Sequence, residues 1–291
     1  MRAPVGDRLK LVLAAALFST GGAAIKTAAF SGWQVASFRS GIAAVAVLLL
    51  TPAARRGYSW RAALVGVGYA ATLVLFVLAN KLTTSANTIF LQSAAPLYML
   101  VLSPLLLHEP VRRRDLGFVA AIALGLALFF LGVDTPVRTA PDPARGNLFA
   151  ALSGVGWAFT MCGLRWLGTG DGDGRGSAVP SVVLGNVIAC LACLPFALPL
   201  GEHGPADWAI VSYLGIFQIA LAYILVTAAL RTVPALEASV LLLVEPVLNP
   251  IWSWLVHGER PTLWAVVGGA VIIGATTLKS WVDARLAPAA A

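Results

Sequence analysis

Apolar residues run through this chain in stretches of about twenty, separated by short charged or Gly/Pro-rich breaks, with no amphipathic alternation inside them. A helix that is apolar on all sides lies in a large core or in a membrane. Reading the windows between breaks predicts spans near 9–28, 33–52, 60–80, 84–107, 113–132, 146–167, 178–199, 206–230, 235–257 and 261–281, ten in all. The clearest breaks are Arg55-Arg56-Gly57, Glu109 to Asp115, Asp134 to Arg145, Gly168 to Gly176, and Gly201 to Asp207. Gly170-Asp171-Gly172-Asp173-Gly174 carries two aspartates but lacks the further oxygen ligands and closing Glu of a calcium loop, and it reads as a flexible connection.

The chain also aligns with itself. At an offset of 150 residues Pro96 falls on Pro246, Glu109 on Glu259, Ala79 and Lys81 on Ala229 and Arg231, and Leu91 on Leu241. Nearer the start of each half the offset is 135, where Ala16-Leu17 meets Ala151-Leu152 and Gly21 meets Gly156. Five spans per half is an odd number, so the second half must enter the membrane the opposite way to the first. The expected fold is therefore an all-α integral membrane protein of ten transmembrane helices arranged as two inverted five-helix repeats. Residues 1–133 form the first, 134–145 a linker, 146–282 the second and 283–291 a tail. Inverted-topology repeats are frequent among transporters.

Composition and charge agree with a membrane chain. Hydrophobic residues make up 59% and charged residues only 11%, against roughly 25% charged in a soluble domain, and mean hydropathy is +0.85. The net charge of +7 does not point to nucleic acid, because the Lys and Arg residues sit between apolar segments rather than along one face. They give an orientation instead. With the N-terminus in the cytoplasm, fourteen Lys/Arg fall on the cytoplasmic side, Arg55, Arg56 and Arg112 to Arg114 among them, and six (Lys26, Arg39, Lys81, Arg138, Arg145 and Arg260) on the other. Both termini are thus expected in the cytoplasm, in a multi-pass cytoplasmic (inner) membrane protein. The first span follows Arg8 and Lys10 as a signal sequence would, but equal runs follow it and retention is expected. Cys190 and Cys193 sit at i, i+3 in an apolar run far from any zinc or redox pattern, and packing is their expected role. No cofactor, metal or nucleic acid is expected. No G-x-x-x-x-G-K-[ST] pattern occurs, and the three histidines, His108, His203 and His257, lie without a second ligand in a span, which argues against a membrane enzyme.

The stretch from Leu241 to Pro261, LLLVEPVLNPIWSWLVHGERP, with a weaker copy from Gln92 to Pro110, resembles the closing signature of EamA-type proteins of the drug/metabolite transporter superfamily. The resemblance spans about residues 9 to 281 and matches that family's ten spans. It implies a secondary transporter of small solutes, and overall likeness is greatest to the branch that exports aromatic amino acids. The expected function is export of aromatic or other large neutral amino acids by alternating access, with hydrophobic drugs or other metabolites as the alternative cargo. The expected partners are that solute and the bilayer, with the protein acting as a monomer.

Candidate binding residues follow from polar groups placed where lipid would reject them. Glu245 is the sharpest, since a carboxylate deep in a span costs roughly 2.5 to 3.5 kcal/mol. It is either a proton or ammonium site facing a wet cavity, or a protonated side chain bonded to a carbonyl freed by Pro246 or Pro250. Asn249 lies one turn on. Pro96 and Pro104 in the fourth span and Pro246 and Pro250 in the ninth each remove a backbone hydrogen bond, and interrupted helices at matching positions mark a midplane site. Thr88 and Gln92 share a face of the fourth span, Ser153, Trp157 and Thr160 one of the sixth, and Tyr69 and Asn80 one of the third; Gln218 sits in the eighth. Each could equally bond its own backbone. Lys26 and Arg39 are expected at the outer interface, where long side chains reach water; Lys26 matches a lysine common in the family, which adds a substrate-carboxylate role. The substrate-binding set is Lys26, Tyr69, Thr88, Gln92, Trp157, Gln218, Glu245 and Asn249. Glu109 and Glu259 are expected to neutralise the start of the helix that follows each. Gly117, Ala121 and Gly125, with Ala270 and Gly274, have the spacing of close helix packing.

Overall fold

The computed structural model describes residues 4–107, 115–131, 135–169, 178–229, 232–233 and 241–286; Glu109, the Arg112 to Arg114 stretch and the glycine-rich 170–174 segment lie outside them. The described residues form helices joined by short loops, with one isolated bridge between Val137 and Ala140. Six helical stretches are long and apolar enough to cross a membrane: Val5–Thr27, Gly32–Leu50, Trp60–Leu82, Pro143–Leu164, Val179–Ala197 and Pro205–Ala229. Two shorter apolar helices, Leu116–Phe130 and Leu263–Lys279, accompany them.

Helix starts are set by local chemistry. Helix α3 (Gly32–Leu50) opens on a capping box in which the Ser31 hydroxyl accepts from Gln34 N and the Gln34 side chain accepts from Ser31 N. Ser59 caps α4 (Trp60–Leu82), and Thr84 caps α5 (Ser85–Gln92). Pro205 begins α10 (Pro205–Tyr213) where its missing N–H is harmless.

Several of these rods are broken, and the breaks lie where the candidate residues are. The first stretch divides at Thr20 into α1 (Val5–Ser19) and α2 (Gly21–Thr27). Ser93 and Ala94 separate α5 from α6 (Ala95–Leu107), so that Pro96 falls in the first turn of the second piece. Leu243 precedes α12 (Val244–His257) in the same way, with Pro246 in its first turn. Ser93 and Leu243 stand 150 residues apart, at the offset of the internal alignment. Between α10 and α11 (Ala222–Ala229) the chain widens into a π-helix, Leu214–Leu221. Nothing in the apolar run over 206–230 predicts that widening.

The remaining helices are α7 (Asp115–Leu131), α8 (Pro143–Thr169), α9 (Ala178–Ala197) and α13 (Leu263–Leu286). Helix α4 lies against α8 and α9, α3 against α9 and the π-helix, and α7 against α13. Small residues let the backbones meet. A Cβ on Gly156 would stand 2.8 Å from Thr72 Oγ1, and one on Gly125 would stand 2.7 Å from Ile272 and 2.9 Å from the Gly268 carbonyl. The small-residue stripe on α7 behaves differently from the expectation at its other end. Gly117 and Gly274 have nothing within 4 Å of an added Cβ, and with Ala121 and Ala270 they line a groove of about 440 Å³. Helices α7 and α13 are therefore in close contact at Gly125 and apart at Gly117.

Candidate functional site

The Thr20 break brings a polar pair onto bare backbone. A Cβ on Gly21 would lie 2.8 Å from Gln218 Nε2, and one on Gly22 would lie 2.8 Å from Asn249 Oδ1 and Ser85 Oγ. Glycine at 21 and 22 is thus what admits the side chains of the π-helix and of α12. The flanking residues hold the break. Trp252 Nε1 donates to Ser19 Oγ at 3.0 Å, and Thr20 Oγ1 lies 2.9 Å from the Tyr213 hydroxyl. Asn249 is completely buried, yet neither its amide oxygen nor its amide nitrogen has a partner; the hydroxyls of Ser85 and Ser253 are buried and unpartnered as well. Buried polar groups are nearly always bonded. Unmet bonding capacity of Asn249 and Ser85 therefore lies directly against Gly22.

Next to it, towards α3, stands Arg39. Its position in the sequence predicts a side chain at the outer interface. The structure turns it inward, and it is 0% exposed. Its face of α3 also carries Val35, Ala36, Ala43 and Val47, all buried, and the π-helix approaches so closely that a Cβ on Gly215 would stand 2.8 Å from the Arg39 carbonyl. The guanidinium donates from Nη2 to Leu73 O at 3.0 Å and, weakly, from Nη1 to Gln218 Oε1 at 3.4 Å.

Aromatic rings complete this centre. Tyr69 and Tyr223 meet edge-on with centroids 5.1 Å apart, Phe18 meets Tyr223 at the same distance, and Asn186 Nδ2 donates to the Tyr69 hydroxyl at 3.4 Å. Trp157, on α8, packs against the larger apolar cluster that includes Phe18, Tyr69 and Tyr223. Tyr223 is within electrostatic reach of Glu245, Tyr69 and Arg39, which places the partly buried Glu245 at the same centre. A small void on another side of Tyr223, lined with Val47, Val179 and Val182, is about 10 Å³, room for no more than a water.

Of the eight candidate residues, Tyr69, Trp157, Gln218, Glu245 and Asn249 therefore surround one region. Gln92 stands at the α5 break and donates from Nε2 to Ser153 Oγ at 2.9 Å, one turn along α8 from Trp157. Thr88 is buried and donates to the carbonyl of Thr84 at 3.0 Å. Lys26 lies apart. Its ammonium forms a 2.8 Å ion pair with Glu259 and donates to the carbonyls of Thr83 and Thr139. Glu259 serves a different helix from the one expected: its Oε2 accepts from Ser85 N, the first residue of α5, and not from the helix that follows it in sequence. Around this pair Lys81 bonds the Ala28 carbonyl, Asp207 accepts from Ala29 N, and Thr83 and Asn87 both donate to Asn147 Oδ1. Tyr223 and Arg39 are the residues of the centre that sequence reasoning missed. An Arg inside a span was visible, but in a helix apolar on all sides nothing told which way it points.

The EamA-like transporter family matches residues 9–131 and 144–281. An uncharacterized transporter of Archaeoglobus fulgidus is 28% identical over 218 residues, 72% of this chain and 72% of that protein. A solved crystal structure superposes with a TM-score of 0.62 over 97% of this chain and 99% of that one, at 20% identity. That likeness extends the shared fold to nearly the full length. The two family matches cover the helices that carry Arg39, Tyr69, Trp157, Gln218, Glu245 and Asn249, and the chain belongs to the EamA-like transporter family.

Proposed function

We propose that this protein is a secondary transporter that exports aromatic or other large neutral amino acids across the cytoplasmic membrane by alternating access, through a midplane site lined by Tyr69, Gln92, Trp157, Gln218, Glu245 and Asn249. The observation that carries the reading is the edge-on pair Tyr69–Tyr223, with the carboxylate of Glu245 within electrostatic reach of Tyr223, in an apolar cluster against which Trp157 also packs. An amino acid suits that mixture: its ammonium meets a carboxylate and its side chain an aromatic face.

The architecture proposed with it is ten spans in two inverted halves, 1–133 and 146–282, with 134–145 as linker. Two observations support it. The breaks at Ser93 and Leu243 stand 150 residues apart, each three residues before a proline, Pro96 and Pro246. The family matches fall in two stretches that divide the chain near the same place. Lys26 and Thr88 stand on the outer side of the site, and the Lys26–Glu259 pair closes that end until a transport step releases it.

Counterflow tests this reading. Purified protein in proteoliposomes preloaded with unlabelled L-tryptophan or L-phenylalanine should accumulate the labelled amino acid transiently. Absence of counterflow for every amino acid in a full panel sinks the substrate class, and counterflow of a hydrophobic drug in its place assigns the protein to drug export.

A further inference from the structure

Lys26 and Arg39 are both buried cations, and their surroundings differ. Lys26 has a carboxylate partner and two carbonyls, so its charge is met inside the protein. Arg39 is met far less fully. Its Nε has no partner, its Nη1 contact is long, and one carbonyl, Leu73 O, is its only close acceptor. The groups facing it come from α4, α9, the π-helix and α11, namely Tyr69, Cys193, Gln218 and Tyr223. Among the described residues no carboxylate pairs with it. A guanidinium cannot shed its proton, and a buried charge without a counter-charge is strongly unfavourable.

We propose that Arg39 binds a carboxylate of the transported solute, which displaces the weak Gln218 Oε1 contact and takes the free side of the guanidinium fork. The proposal rests on the reading of the Tyr69–Tyr223 region as the transport site and specifies what that site recognises. One fixed positive charge fits one negative charge. A planar carboxylate also matches the guanidinium in two parallel hydrogen bonds, a geometry an ammonium cannot reproduce. The phenols of Tyr69 and Tyr223 lie beside the guanidinium, and Glu245 stands near Tyr223. A solute with a carboxylate, a cation and an apolar body then spans from Arg39 to Glu245 across the rings. Gln218, freed from Arg39, keeps its amide nitrogen over Gly21.

The test uses matched ligands that differ at the carboxylate alone. Binding to the full-length purified protein is measured by calorimetry for L-tryptophan against L-tryptophanamide, and for indole-3-acetate against indole-3-acetamide. Wild-type protein should favour the carboxylate of a pair by roughly ten-fold or more. Arg39→Met should abolish the preference, and Arg39→Lys should restore part of it, since it returns the charge without the fork. Equal binding of acid and amide by the wild type overturns the proposal, as does a preference that survives in Arg39→Met. Should the variants fail to fold, the wild-type comparison still decides. Preference for indole-3-acetate over its amide, with no amino acid bound, upholds Arg39 and rejects the amino-acid reading. If none of the carboxylates binds, both readings fall.

Discussion

Lys26 and Glu259 form an ion pair of 2.8 Å in which both side chains are only 4% exposed, and the second oxygen of Glu259 accepts from Ser85 N. Three segments are joined there: the end of α2, the turn after α12 and the start of α5. Removing one member of a buried pair strands the other charge and costs about 3–5 kcal/mol. Lys26→Met and Glu259→Gln should therefore each lower the midpoint of thermal unfolding in detergent by an amount on the order of 10 °C. The double variant should regain much of that loss, and added salt should change the wild-type midpoint little, because a buried pair is weakly screened. Losses that simply add in the double variant refute the pairing.

The two ends of the α7–α13 contact make opposite predictions. Gly125 sits where a Cβ would meet Ile272 and the Gly268 carbonyl below 3 Å, so Gly125→Leu forces the backbones apart and should cost about 1–3 kcal/mol or more. Gly117→Leu and Gly274→Leu project into the open groove and should stay within about 0.5 kcal/mol of wild type. The yield of monodisperse protein by fluorescence-detected gel filtration separates them. Equal damage at all three positions shows that the groove is occupied by another helix.

Much of the fold was legible from where apolar runs begin and end. Helix α4 occupies Trp60–Leu82 where the run predicts 60–80, and α3 occupies Gly32–Leu50 against 33–52. Pro96 and Pro246 also announced the breaks just before them. The Thr20 break and the π-helix over Leu214–Leu221 were not legible. The apolar runs continue through both, and the signal lies in the packing of Gly21 on Gln218 and of Gly215 on α3. The same cause hid the inward turn of Arg39. A helix with one polar side advertises its buried face; α3 has apolar residues all round, so rotation is set by neighbours. Glu259 was read against its neighbour in sequence, and its partner turned out to be 174 residues away.

Orientation has its own test. Arg56 and Glu202 are both exposed, the first between α3 and α4 and the second between α9 and α10. The fourteen-to-six distribution of Lys and Arg puts Arg56 in the cytoplasm and Glu202 outside. In a background with Cys190→Ser, Glu202→Cys should react with an impermeant maleimide added to intact cells, while Arg56→Cys should react only after permeabilisation. The reverse pattern inverts the topology. The Arg112 to Arg114 stretch, on the same side as Arg56 by this argument, gives an independent probe through Arg113→Cys.

The proposed transport site is tested by substitutions that remove one kind of contact each. Trp157 packs from α8 against the apolar cluster that contains Tyr69 and Tyr223, and an aromatic contact with a bound solute is worth about 0.5–1.5 kcal/mol beyond its area. Trp157→Leu should therefore weaken counterflow of an aromatic amino acid roughly two- to ten-fold while leaving folded protein unchanged. Gln92→Leu should reduce transport with only a small loss of stability, since it deprives Ser153 Oγ of its donor but leaves the α5 cap at Thr84 intact. Glu245→Gln keeps the shape and removes the charge, so an ammonium loses its partner and binding should fall by roughly ten-fold or more wherever the wild-type carboxyl is ionised. If Glu245 instead carries a transported proton, Glu245→Gln leaves binding near wild type and abolishes only the response to an imposed pH gradient. Measuring binding and gradient-driven uptake on the same variant decides between the two. If Trp157→Leu and Gln92→Leu both leave counterflow of every tested amino acid unchanged, the site lies elsewhere, and the ring pair Trp33 and Phe196 at the start of α3 and the end of α9, with centroids 4.8 Å apart, is the next place to substitute.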